Sequence, residues 1–177
     1  MASIARRLEQ AEQVEEATQF EVELGPLIAD ALRLATAMLS SPTDAEDAVQ
    51  EACLLAWQRR SNRRAGTELR PWLLGIVANR CRETRRGRWW RMIRVAEVRA
   101  GEVSAAIDVA DAVDMREALA QLRHRFRLAI VLRYYLDLSY EDVAAALGCS
   151  TDAAKALVRR GTARLERLLT VEESTHA

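Results

Sequence analysis

Glycine and proline are scarce, seven and three in 177 residues. So few turn-forming residues exclude a β-sandwich or barrel, which needs many tight reversals. Cysteine is also sparse. Cys53, Cys81 and Cys149 are widely spaced, and the histidines are His124 and His176. None of these residues has metal-ligand spacing, and an odd cysteine count fits a reducing compartment, where the thiols serve as small apolar residues. Asp44, Asp47 and Glu51 lack a histidine or a further carboxylate cluster to make a metal site of them. A catalytic set of nucleophile, base and orienter is absent, and so is a glycine-rich phosphate loop. The expectation is therefore no enzyme, no metal and no cofactor. No apolar run approaches the roughly 20 residues that cross a bilayer, and the first residues lack the apolar centre of a signal peptide. A cytoplasmic protein is expected.

What is present is alanine, leucine, arginine and glutamate. Half the residues are apolar, enough for a real core, and the composition is that of an all-α protein. Formal net charge is zero, but its distribution is uneven. From Arg59 to Arg99, thirteen arginines face only Glu68, Glu83 and Glu97, a net of ten positive charges. The front is acidic, with Glu9, Glu12, Glu15, Glu16, Glu21, Glu23 and Asp30 against Arg6 and Arg7. A basic middle of this kind suits a polyanion.

The periodicity divides the chain into an acidic leader (1–19), a first helical domain (20–90), a linker containing Gly101 (91–110), a second helical domain (111–170) and a polar tail (171–177). The leader reads as a loose tail, or as a segment that screens the basic surface. One core helix is expected over Phe20 to Ser40, with Pro26 in its first turn. Ser41 and Pro42 start the next helix at N-cap and first helical position. Its Ala45, Ala48, Val49, Ala52 and Ala56 point inward. Asp47, Gln50, Glu51 and Leu54 fall on other faces, either as a solvated acidic face or as a dock for a basic, partly apolar surface.

Arg59 to Arg70 reads as a basic loop, and Pro71 opens the following helix. Leu73, Ile76, Val77 and Cys81 form its core stripe. Trp72, Gly75, Asn79, Arg82 and Arg86 line another face at spacings of three and four. An aromatic ring, an amide and guanidinium groups together suit unstacked bases. Trp72 fits a core position equally well.

Leu136 to Leu169 is the most informative stretch. Ser139 can cap a short helix carrying Val143, Ala144 and Leu147. Gly148 sits where that helix must stop, and Ser150 can cap the next one. There Ala154, Leu157, Val158, Gly161, Leu165 and Leu168 share one arc, while Lys155, Arg159, Arg160 and Arg164 occupy the rest. This is the helix-turn-helix pattern, with the second helix apolar behind and basic in front.

Both halves together resemble the extracytoplasmic-function group of bacterial RNA polymerase sigma factors, over Phe20 to Leu169. The segment DAEDAVQEACLLAW resembles the one that docks on the clamp helices of the polymerase largest subunit, whose positions Asp47, Gln50 and Glu51 match; with Leu54 on the same exposed face they are the expected polymerase-binding residues. RPWLLGIVANRCRETRR resembles the helix that melts the promoter and reads its minus-ten element. The resemblance assigns Asn62, Arg63, Arg64, Trp72, Asn79, Arg82, Arg85 and Arg86 to the melted strand. RHRFRLAIVLRYYLDLSYEDVAAALGCS resembles the domain that binds the minus-thirty-five element, with Thr151, Lys155, Arg159 and Arg160 as contacts. Core RNA polymerase (clamp helices and flap), promoter DNA and an anti-sigma factor are the partners it implies. There are departures: Leu157 and Thr162 stand where the family usually has arginine, and Leu122-Arg123 replaces a leucine-proline pair. A stand-alone helix-turn-helix regulator, usually a dimer on two half-sites, is the competing reading.

Overall fold

A computed structural model of the protein describes residues 14–63, 66–94 and 110–173. Most of the leader, the centre of the linker, the end of the tail and Arg64 lie outside them. The described residues are helical, without a strand.

Helix α1 spans residues 14–24, so it begins inside the acidic leader. The single helix expected over Phe20 to Ser40 is instead interrupted. A 3-10 turn at Gly25–Leu27, with Pro26 in it, separates α1 from α2 (Ile28–Met38). Proline removes one backbone donor, which suits a tightened turn. Ile28 is consequently rotated outward and exposed, whereas Ala31, Leu34, Ala35 and Met38 are buried. Helix α3 (Pro42–Gln58) starts as its sequence requires: the Ser41 hydroxyl accepts from the Asp44 amide at 3.2 Å. Its buried face is four alanines and Val49, so neighbouring helices can approach closely.

Helix α4 (Leu69–Arg94) is the longest, and packs on both α2 and α3. Leu73, Leu74, Val77, Ala78 and Cys81 are buried on it, while Ile76 is half-buried. Burial pushes the Cys81 thiol up to about 12, so this cysteine behaves as an apolar residue.

The second half opens with α5 (Ala110–Gln121) and α6 (His124–Ile130), which runs into a π-helical turn at Val131–Tyr135. Arg127 is buried at the join. Its guanidinium donates to Leu119 O at 2.6 Å and to Ala120 O, carbonyls in the last turn of α5. Helix α7 (Tyr140–Leu147) is capped by Ser139, whose hydroxyl accepts from the Asp142 amide at 3.0 Å. Gly148 ends it at φ 62°, ψ 43°. Ser150 caps α8 (Thr151–Glu173), accepting from the Ala153 amide at 3.3 Å. Gly161 allows α8 to lie against α6: a Cβ there would meet Ile130 Cδ1 at 3.0 Å.

The two halves are not held apart. Leu34, Leu73 and Val77 of the first half share one buried cluster with Leu128, Leu132, Val143 and Ala146 of the second. Helix α7 lies along α4, and a Cβ on Gly75 would sit 2.8 Å from Ala146 O. His124 is at this seam with its Nδ1 buried and unpartnered. Burial first, then Arg85, Arg82 and Arg127, hold its pKa down to about 4 from 6.5.

Two outcomes follow. Gly148→Ala forces a β-carbon into the left-handed region and should cost about 1–2 kcal/mol, read as a lower urea midpoint; an unchanged midpoint contradicts the assignment. At His124 the folded chain takes up a proton less readily than the unfolded one. Its stability is therefore complete above about pH 6.5 and is lost as pH falls towards 4. His124→Gln should flatten that decline in thermal melts, and a profile parallel to the wild type would show that the imidazole plays no part.

Candidate nucleic-acid and polymerase interfaces

Three faces carry the residues singled out by the sequence. The first is on α3. Asp47, Gln50, Glu51 and Leu54 are all exposed, at spacings of three and four that put them on one stripe opposite the alanines. Leu54 is 63% exposed, one turn beyond the acidic Glu51. Glu51 Oε2 lies 3.7 Å from Arg80 Nη1, and Arg80 Nη2 lies 2.6 Å from Glu83 Oε2. Surface pairs of this kind add little stability. They orient the acidic face rather than hold the fold.

The second face combines α4 with the loop before it. Trp72 is half-buried, and both readings of it find support. Its ring packs edge-on to Phe20 at 6.5 Å, and Phe20 in turn meets Trp57 at 6.1 Å. The same side chain also lines a cleft of about 480 Å³ between α4 and the second half, together with Gly75, Asn79 and Arg82. Across the cleft stand His124, Arg125 and the end of α7 from Ala145 to Gly148. Asn79, Arg82, Arg85 and Arg86 are exposed. In the loop, Asn62 is exposed at the end of a 3-10 turn (Arg60–Asn62). Arg63 is half-buried and donates to Thr67 O at 2.7 Å, which closes the loop on itself. Arg60 stacks over Trp57 at 4.4 Å and donates to Trp57 O at 3.0 Å. The loop is therefore shaped by its own arginines.

The third face is on α8. Ala154, Val158, Gly161 and Leu165 are buried, while Lys155, Arg159 and Arg160 are exposed and Thr151 is half-buried. At 3.6 residues per turn, Arg159 and Arg160 straddle the direction pointing away from the core, each about 50° to one side. Lys155 and Arg159 line a groove of about 540 Å³ with Tyr134, Tyr140 and Thr162, whereas Arg160 does not. The period and charge of the basic helix give no sign of the tyrosines. Lys155 Nζ lies 5.9 Å from the Tyr140 ring, and Arg133 lies 5.1 Å above the same ring. Their signal was the exposed pair Tyr134-Tyr135 and an aromatic residue directly after the N-cap Ser139. His124 and Arg125 are likewise without a sign in the sequence, because their role at the cleft depends on α4. Among the described residues no cluster of histidine, cysteine and carboxylates could hold a metal ion.

The model of Sigma-70 region 2 matches residues 26–91, and that of Sigma-70, region 4 matches residues 112–165. The chain is 35% identical over 129 residues to RNA polymerase sigma factor CarQ of Myxococcus xanthus, covering 71% of this chain and 74% of the relative. It is 31% identical over 140 residues to RNA polymerase sigma factor NccH of Alcaligenes xylosoxydans xylosoxydans, covering 72% and 74%. Among solved structures it is similar to the sigma factor RpoE of Bartonella quintana in complex with the anti-sigma factor NepR. The TM-score there is 0.71 at 31% identity, over 86% of this chain and 98% of that one. Two sigma regions in their expected order, on a helical scaffold shared with a solved sigma factor, settle the family: the chain belongs to the sigma-70 family of RNA polymerase sigma factors, in the extracytoplasmic-function group.

Proposed function

We propose that the chain divides the work of a promoter-specificity subunit among its three faces. Asp47, Gln50, Glu51 and Leu54 on α3 dock core polymerase. Asn62, Arg63, Arg64, Trp72, Asn79, Arg82, Arg85 and Arg86 hold the melted minus-ten strand. Thr151, Lys155, Arg159 and Arg160 enter the major groove at the minus-thirty-five element. Residues 20–90 and 111–170 are then the two working units, connected by 91–110.

The observation that carries this reading is the coexistence of two unlike exposed stripes in one chain. A basic recognition helix alone would suit a stand-alone regulator. The acidic stripe on α3, with a bare leucine in it, repels DNA and calls for a protein partner. The matched family binds core RNA polymerase and directs it to promoters, which supplies that partner. Neither half needs to bind DNA tightly by itself. Once polymerase carries both, the second contact forms at a high effective concentration. Phosphate contacts from arginine set the register, and base-edge contacts set the sequence.

No step in this work is catalytic for the chain itself, and the cytoplasm is where its polymerase would be. Among the described residues no helix is long and apolar enough to cross a membrane. The similar RpoE structure holds an anti-sigma factor, which supports a protein inhibitor of that class as a further partner here.

The central experiment adds the purified chain to sigma-free core polymerase on genomic DNA and maps the starts. Defined starts sharing two spaced elements are expected; no gain over core alone rejects the reading. Arg159→Ala or Arg160→Ala should cost about 1–3 kcal/mol where the side chain reads a base, measured as promoter strength. Unchanged promoter choice removes that residue from the contact set. Glu51→Ala with Leu54→Ala in the full chain should weaken core binding while its DNA binding is unchanged. Loss of DNA binding instead would place α3 at the wrong interface.

A further inference from the structure

Helix α1 precedes the Sigma-70 region 2 match, which begins at residue 26, and none of the three faces uses it. Its residues 14–24 are too few to hold a helix alone in water. What anchors α1 is its inner side: Phe20 is buried, and Leu24 is half-buried against the core cluster. Its outer side is acidic. Glu15, Glu16, Glu21 and Glu23 are exposed, and such a surface repels phosphates.

Phe20 lies between two tryptophans of different helices. Its ring meets Trp57, near the end of α3, at 6.1 Å with an interplanar angle of 61°. It meets Trp72, in the first turn of α4, at 6.5 Å and 81°. Both contacts are edge-to-face, an arrangement that ring quadrupoles favour. Among the described residues Phe20 is the one aromatic partner of Trp72. Beyond Trp57 the contacts run on into the loop. The Arg60 guanidinium lies 4.4 Å over the indole and donates to Trp57 O at 3.0 Å. Phe20 is thus the middle of a line from Arg60 to Trp72. Helices α1, α3 and α4 all belong to the first half, so the line is complete without the second.

Trp72 borders an open cleft on its other side. The outer torsion of an indole is broad, so open space leaves its angle free unless a neighbour fixes it. A ring set in advance binds a base without a further ordering cost. We infer that Phe20 is a positioning residue for the melted strand. Its ring presets the angle of Trp72 and, through Trp57 and Arg60, the loop before α4. Helix α1 thereby serves strand capture without touching DNA. The inference rests on the reading of Trp72 and that loop as the melted-strand face. Duplex binding by α8 and core docking by the acidic stripe of α3 do not depend on it.

The test compares Phe20→Leu, which removes the ring but keeps an apolar side chain, with Phe20→Tyr, which keeps the ring. Both are made in the full chain and bound to core polymerase. One probe is a promoter fork whose minus-ten non-template strand is single; the other is a duplex ending upstream of that element. Phe20→Leu should bind the fork about tenfold more weakly, equal to 1.4 kcal/mol, and should lower permanganate oxidation of melted thymines. Its affinities for the upstream duplex and for core should be unchanged. In the free chain labelled with fluorotryptophan, the Trp72 resonance, assigned with Trp72→Phe, should move. Phe20→Tyr should restore both the resonance and fork binding. An unmoved resonance or an undiminished hold on the fork overturns the inference. So does a common fall in fork, duplex and core affinity, or a Phe20→Tyr variant that behaves as Phe20→Leu. Trp72→Ala is measured alongside. If it leaves the fork bound, the melted-strand reading of Trp72 fails and the inference with it. If it releases the fork while Phe20→Leu does not, the inference alone fails.

Discussion

The close approach of α4 and α7 organises this molecule. It depends on the absence of a side chain at Gly75, which lets one helix reach the backbone of another at Ala146. Around that point apolar groups from both halves leave water together. Burial of this kind is roughly proportional to the area removed and is not directional. Direction comes from the arginines. Arg33, Arg70 and Arg127 each cross between the halves to a backbone carbonyl, Arg127 Nη1 reaching Met38 O at 3.4 Å. Unlike an exposed ion pair, a guanidinium on a terminal helix carbonyl satisfies an acceptor that the fold itself leaves open.

The same seam concentrates positive charge. Arg127 is buried, and burial, then Arg85, pull its pKa down to about 10. The cost of bringing these basic groups together is set against the shared core. A polyanion or an acidic partner at the cleft would relieve the repulsion.

Most of the local structure was legible from residue types and spacing. Ser41, Ser139 and Ser150 cap the helices they were expected to cap, and Gly148 takes the left-handed conformation. These are contacts within four residues, governed by backbone geometry alone. The outward stripe on α3 and the apolar arc on α8 were legible for the same reason: helical period and side-chain chemistry agree there. The expected helix over Phe20 to Ser40 failed at Gly25–Leu27, because the apolar pattern continues through a turn that tightens the backbone without ending it.

Pattern and composition sufficed for an all-helical chain of two units, with a helix-turn-helix in the second and acidic and basic stripes assigned to their helices. Each of those features is settled within one helix or one turn. Tertiary structure alone decided that the units share a core and that Trp72 meets Phe20 on one side and a cleft on the other. It also decided that Arg33 and Arg70 serve the opposite half. Arg33 and Tyr135 are 102 residues apart in the chain, and no period or spacing relates such positions. Only the packing of α4 against α7 does.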